Sequence, residues 1–189
     1  MKRKLFYTLG LFVLTVMSFV ASPSYAQTTA NGPYYANPSW DQTLTCTTLA
    51  TCPRFIVLSN MNSDAVLDRE TGLVWEKSPS TTRFSFADAE RHCVDLNVGG
   101  RTGWRLPTIQ ESMSLVDRSV PSPGPTLPSG HPFDNVQSSS LYWSASTFTG
   151  NTDAAMAVFF ANGFVGGAAR SVAVTFVWCV RGGQGVVTQ

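Results

Sequence analysis

From Phe55 onward the chain sets short apolar runs between turn clusters, the rhythm of strands. Phe55-Ile56-Val57-Leu58 predicts one strand and Asn60 to Asp64 a turn. Ala65-Val66-Leu67 and Leu73-Val74-Trp75 predict two more strands around Asp68-Arg69-Glu70-Thr71-Gly72, whose glycine suits a tight reversal. The period then changes. Phe86, Ala89, Cys93 and Leu96 recur at steps of three, four and three, which is one face of a helix. Ser85 can cap it, Asp88 and Glu90 favour its N-terminus, and Asn97 with Gly99-Gly100 ends it. A second helix is expected from Ile109 to Asp117, with Ile109, Met113 and Val116 on one face. Pro107 biases Leu106 toward an extended conformation, and Thr108 with Glu111 has the Ser/Thr-x-x-Glu spacing of a capping box.

Pro121 to Pro132 is dense in proline and glycine and reads as a long loop, a place where compact domains often carry function. Leu141 to Ala145, Ala155 to Phe160 and Val172 to Val180 follow as strands. In the last, Val174, Phe176, Trp178 and Val180 share one face, and Thr175, Val177, Cys179 and Arg181 the other. Asn162-Gly163 and Gly166-Gly167 interrupt the chain between the final two strands. Strands, two helices, a loop and strands again make an α+β protein with an antiparallel sheet.

The N-terminus changes how much of the chain belongs to that fold. Lys2, Arg3 and Lys4 precede an almost wholly apolar Leu5–Val20, and Ser24-Tyr25-Ala26 offers small residues at a cleavage position. Residues 1–26 are read as a secretory signal peptide, the apolar run falling short of the ~20 residues of a spanning helix, so no transmembrane anchor is expected. Residues 27–53 are an extension rich in Thr, Asn, Pro and Tyr, residues 54–184 the domain and residues 185–189 a tail. Loss of the three basic leader residues takes the formal charge from +1 to −2, which leaves no electrostatic footprint for nucleic acid. An exported chain with Cys46, Cys52, Cys93 and Cys179 is expected to form disulfides. Cys46 and Cys52 are close enough for a local loop, which leaves Cys93, turned inward by the helix period, for Cys179. No metal site is expected, since there is no CxxC pair and His92 and His131 are not at ligand spacing.

Several blocks together resemble one family. Asp68-Arg69-Glu70-Thr71-Gly72-Leu73-Val74-Trp75-Glu76, the helix with Ala89 and Cys93, Gly103-Trp104-Arg105-Leu106-Pro107-Thr108 with Glu111, Tyr142-Trp143-Ser144-Ala145-Ser146 and Cys179-Val180-Arg181 occur in the order seen in the Lcl C-terminal domain family. The resemblance implies a C-type lectin-like fold in exported bacterial proteins. The family's namesake is the tip domain of a collagen-like adhesin that binds sulfated polysaccharides. This chain lacks the net positive charge such a ligand favours.

The signature residues Trp75, Trp104, Arg105, Pro107, Glu111, Trp143 and Arg181 are expected to be structural. Arg181 should pair with a carboxylate such as Asp68, and His92 should lie near the surface. No Gly-x-Ser-x-Gly elbow or other nucleophile motif is present, so no catalytic residue and no cofactor are expected. The formylglycine-generating enzymes, which the RLPT…E run also resembles, use paired C-terminal cysteines on copper where this chain has Cys179 alone. The Glu-Pro-Asn and Trp-Asn-Asp signals of calcium-dependent sugar sites are missing. The expected function is an exported, non-enzymatic binding module for an extracellular or cell-surface carbohydrate or protein, presenting the loops at 121–140 and 146–170. Asn151, Asp153, Phe164 and Arg170, beside flexible glycines, are the candidate ligand-binding residues. The alternative is a structural or assembly subunit of a cell-surface or envelope complex.

Overall fold

A computed structural model of the chain describes residues 53–182 together with the strand at 29–30. The expected leader, the Cys46–Cys52 bridge, the C-terminal tail and most of the extension lie outside the described residues. The fold is α+β, with two five-stranded sheets and two short α-helices among the described residues. The first sheet has the order β1 (Thr29–Ala30), β2 (Phe55–Leu58), β3 (Ala65–Asp68), β4 (Leu73–Glu76) and β10 (Val180–Arg181). The second has the order β5 (Ser80–Phe84), β9 (Thr175–Val177), β6 (Leu141–Thr147), β7 (Ala154–Phe159) and β8 (Phe164–Ala169). Strand β1 runs parallel to β2, with Thr29 opposite Val57.

The turns follow from the residues that make them. Between β2 and β3 a 3-10 helix at Ser59–Met61 is closed by Asn62 and Ser63, both at positive φ. The β3–β4 turn is organised by Asp68, whose carboxylate accepts from Glu70 N at 3.1 Å and Thr71 Oγ1 at 2.9 Å. That carboxylate is fully buried and takes a fork of two hydrogen bonds from Arg54 at 3.0 and 2.9 Å. The expected Asp68–Arg181 pair is therefore corrected. β10 pairs with β4 rather than β3, which sets Arg181 opposite Val74, and its Nε donates to Thr102 O at 2.8 Å.

Helix α1 (Phe86–Asp95) starts where Ser85 accepts from Asp88 N, and it buries Phe86, Ala89 and Cys93. The bridge Cys93–Cys179 pins it to the last strand segment, with Cα atoms 5.5 Å apart. Helix α2 (Ile109–Ser114) carries the full capping box: Glu111 N to Thr108 Oγ1 and Thr108 N to Glu111 Oε2. It stops earlier than its apolar period implies, because Asp117 N turns away to Thr126 O at 2.8 Å.

The final strand needs the largest correction. Val172 and Val174 are exposed, and regular pairing begins at Thr175. The chain then crosses from the second sheet to the first between Val177 and Val180. Its alternation survives that crossing. Val177 and Cys179 join a core with Phe86, Ala89, Cys93, Trp104 and Trp143, whereas Phe176, Trp178 and Val180 join a core with Trp75, Leu127, Phe133 and Phe160. A segment buried on both faces reads as one long apolar run, which hides the point where it changes sheets. Strands β5 and β8 are absent from the apolar pattern, β5 because it is polar and largely exposed, β8 because of its glycines.

The proline-rich loop is partly core. Leu127 and Phe133 are buried, and Thr126 gives both its N–H and its hydroxyl to Phe160 O at 2.7 and 2.9 Å. Among the described residues no helix is long and apolar enough to cross a membrane.

Candidate ligand-facing site

Two adjoining polar clefts flank the C-terminal end of α1. One, of about 290 Å³, is lined by Ser63, Asp64, Glu76, Lys77, Asn97 and Asp134, among others. Its walls come from four places in the sequence, and backbone bonds fix each. Lys77 N donates to Asp64 O at 2.9 Å, and Asp134 N donates to Lys77 O at 2.8 Å. Lys77 also forms an ion pair with Asp134, and Asn135 Nδ2 donates to Ser78 Oγ at 2.8 Å. The end of the long loop is thus clamped onto the residues that follow β4. Gly99 supplies the closest approach. Its φ is +58°, and a Cβ there would stand 2.4 Å from the Met61 backbone, so only glycine lets this wall close on the 3-10 turn.

The second cleft, of about 380 Å³, lies along α1 and is lined by Phe84, Asp88, Arg91, His92, Asp95 and Asn97. Asn97 belongs to both clefts. Phe84 and His92 form a tilted ring pair, centroids 4.9 Å apart, so an apolar face lies beside the carboxylates. Two exposed carboxylates, Asp64 and Asp134, line the first cleft with Lys77, and two, Asp88 and Asp95, line the second with Arg91. A surface of this kind favours neutral or basic ligands over polyanions.

Between the clefts lies a buried group that the sequence did not single out. Glu76, 4% exposed, accepts from Cys179 N at 2.6 Å. Burial pushes its carboxyl up to about 7, with the Cys179 hydrogen bond opposing. His92 lies near the surface as expected, lining the second cleft, and is half-buried because its ring packs on Phe84 of β5. Burial holds its imidazole below the usual range, against the pull of Asp95. Helix periodicity marks Cys93 as inward, and nothing in the spacing of Glu76, His92 and Cys179 shows that they converge.

The hairpin residues named from sequence do not form one site. Asn151, Asp153 and Arg170 come together at one end of β7–β8: Asp153 N donates to Asn151 Oδ1 at 2.9 Å, and Arg170 N to Asp153 O at 2.9 Å. Phe164 is at the other end, opposite Phe159 in the register, and is 57% exposed. Arg170 is also committed structurally, its guanidinium 4.0 Å over the Phe86 ring and its Nε on Ala154 O. The segment is mainly a strand pair with Asn162-Gly163 in its turn.

The signature residues are packed, and all but Trp75, whose buried indole N–H meets no acceptor among the described residues, are tied by hydrogen bonds. Trp75, Trp104 and Trp143 are buried. Trp104 Nε1 donates to Arg101 O at 2.8 Å and Trp143 Nε1 to Phe84 O at 3.0 Å. Arg105 makes a two-pronged contact with Glu111 at 2.8 and 2.7 Å and reaches Gly182 O at 2.7 Å. Pro107, also buried, offers its carbonyl to Ala145 N at 2.7 Å, joining the entry of α2 to β6.

No curated protein sequence matches this chain. The family model of the Lcl C-terminal domain matches residues 64–181, which takes in the β3–β4 turn, α1 with its disulfide, the Trp104–Glu111 corner and the closing Cys179-Val180-Arg181. The chain belongs to the Lcl C-terminal domain family.

Proposed function

We propose that this chain is an exported, non-enzymatic binding module on a C-type lectin-like scaffold, and that the cleft beside β4 receives an extracellular or cell-surface carbohydrate. The observation that carries this reading is the chemistry of the cleft wall. Hydroxyl, carboxylate, amide and ammonium groups from Ser63, Asp64, Lys77, Asn97 and Asp134 surround a shallow space, with the backbone of Ser63, Asp64, Lys77 and Asp134 fixed by hydrogen bonds. Such groups match the donors and acceptors of sugar hydroxyls, and Phe84 and His92 add an apolar face next door. The acidic balance points to a neutral or amino sugar rather than a sulfated one.

A glycan array with the purified protein tests this, using Asp64→Ala and Asn97→Ala as cleft variants. Binding should fall at least tenfold in both, with unchanged melting temperature. Binding that survives in both but is lost on substitution of Asn151, Asp153 or Arg170 would move the site to the hairpin end.

The assembly-subunit reading draws on a different feature. Strand β8 is the outer strand of its sheet, carries no charged residue and exposes Phe164. Uncharged edges of this kind pair readily with other chains. Light scattering that shows concentration-dependent association, abolished by Phe164→Asp, would favour it.

A further inference from the structure

We propose that reduction of the Cys93–Cys179 bridge creates a closed zinc site in which Glu76, His92, Cys93 and Cys179 each supply one ligand. Three elements meet there: the end of β4, the C-terminal half of α1, and the crossing between β9 and β10. A Glu76 carboxylate oxygen, a His92 ring nitrogen and the Cys179 sulfur all lie within 4.8 Å of one another, and Cys93 is covalently joined to that sulfur. In a tetrahedral zinc site, with Zn–N of ~2.0 Å and Zn–S of ~2.3 Å, ligand atoms stand roughly 3.3–3.8 Å apart. The Glu76, His92 and Cys179 ligand atoms must therefore close by up to about 1.5 Å, while the two sulfurs, bonded to each other in the bridge, must part to ~3.8 Å once it is reduced.

Two further observations favour a cation at this point. His92 Nε2 is buried and has no hydrogen-bond partner. Glu76 is buried, and among the described residues no basic side chain forms an ion pair with it. An orphaned ring nitrogen and an uncompensated carboxyl a few ångströms apart are both satisfied by one divalent ion. His92 lines one cleft and Glu76 the other, so the ion has a way in from either side. Thiolate and imidazole ligands select zinc-like metals, whereas calcium and magnesium want oxygen donors.

The disulfide blocks this site, because thiolates bind the metal and a disulfide sulfur does not. A dithiol reductant, small or protein-borne, gives up two electrons and two protons. The S–S bond breaks, Cys93 and Cys179 become thiols, and the donor leaves as its own disulfide. When Zn²⁺ binds, each thiol releases its proton to solvent, any proton on Glu76 follows, and His92 ligates through a neutral ring nitrogen. Bridge and metal are thus mutually exclusive occupants of one place in the core.

Cobalt(II) is the probe, added to the purified protein before and after reduction with a phosphine. The reduced protein should take up one equivalent and show tetrahedral d–d bands with a thiolate-to-metal charge-transfer band; the oxidised protein should show neither. Zn²⁺ should displace the cobalt and raise the melting temperature of the reduced protein only. Glu76→Gln and His92→Gln should each weaken cobalt binding at least tenfold while leaving the oxidised protein folded by circular dichroism. The proposal is overturned if the folded, reduced protein binds no cobalt, or if both variants bind as tightly as wild type. It is equally overturned if reduction unfolds the chain and zinc fails to restore its melting transition.

Discussion

The carboxylate of Glu76 accepts the main-chain N–H of Cys179 at 2.6 Å, while the main-chain carbonyl of Glu76 accepts the Trp178 indole N–H at 2.9 Å. One residue of β4 thereby holds the two residues at which the last strand leaves one sheet for the other. This hold comes from a carboxyl that burial has pushed up to about 7.

A pH dependence follows. The folded chain keeps a proton on Glu76 that the unfolded chain loses near pH 4.5, so stability falls as pH rises from there through about 7 and then levels off. At ~1.4 kcal/mol per pKa unit the full swing is about 3 kcal/mol. His92, held below its usual value, acts oppositely, its contribution being lost as pH falls through the ordinary histidine range. Glu76→Gln should remove the downward slope and be the more stable protein at pH 8. Urea unfolding of both proteins from pH 5 to 8 measures it. A wild type whose stability rises steadily over that range contradicts the assignment.

Trp104→Ala should damage folding rather than recognition. The ring is buried in the core that also holds Cys93 and Trp143, and its indole N–H closes on Arg101 O. Truncating a buried Trp costs ~3–5 kcal/mol, a large share of a small domain's stability. Thermal melts and ligand titration together decide it. Intact melting with lost binding would make Trp104 a ligand contact.

The corner of Arg105 and Glu111 should prove intolerant of a conservative change. Arg105→Lys loses the fork to Glu111 and the reach to Gly182 O, with an expected cost of about 1.5–3 kcal/mol, while Thr108→Ala should cost ~1 kcal/mol through its cap. Burial acts to raise Glu111, but the Arg105 and Thr108 hydrogen bonds outweigh it and hold the carboxyl below its usual value. Its contribution is present above pH 4.5 and lost as pH falls through the folded value. Denaturant curves at pH 3 and pH 6 should therefore bring Arg105→Lys and wild type closer together at the lower pH.

Gly99→Ala should cost about 2 kcal/mol or more. A side chain in the left-handed region costs ~1–2 kcal/mol by itself, and here its Cβ meets the Met61 backbone. Glycan binding should weaken in the same variant because the cleft wall moves. Gly100→Ala, with open space around it, is the control for the backbone term alone.

The legible parts of the fold were those in which one residue type does one local job. Ser85 and Thr108 cap helices, Gly72 turns a hairpin, and the step pattern of Phe86, Ala89 and Cys93 gives both the helix and the direction of its bridge. Long-range structure was less readable. Strand β5 is polar because it is an exposed edge, and β8 pairs six residues although Gly166 and Gly167 sit within it. Those glycines are covered by Phe164 and Phe148, which stand where their side chains would be. Ion-pair choice was equally hidden, since Asp68 found Arg54 through the strand order, and Arg181 was left to a carbonyl. The polar clefts escaped for the same reason: Asp64, Glu76, Asn97 and Asp134 are far apart in sequence and share no motif.

The strand that changes sheets has a mechanical consequence. β2 and β10, the first and last long-range anchors of residues 53–182, lie in the same sheet, separated by β3 and β4. At ~4.8 Å per strand step they are roughly 14 Å apart. Tension applied between residues 54 and 182 would therefore fall on that sheet and peel β10 from β4, leaving the hairpin of β7 and β8 unloaded. Peeling would stop three residues in, at Cys179, where the covalent link to α1 transfers the load to the helix. A module built this way can be pulled by its ends while the opposite sheet keeps its shape.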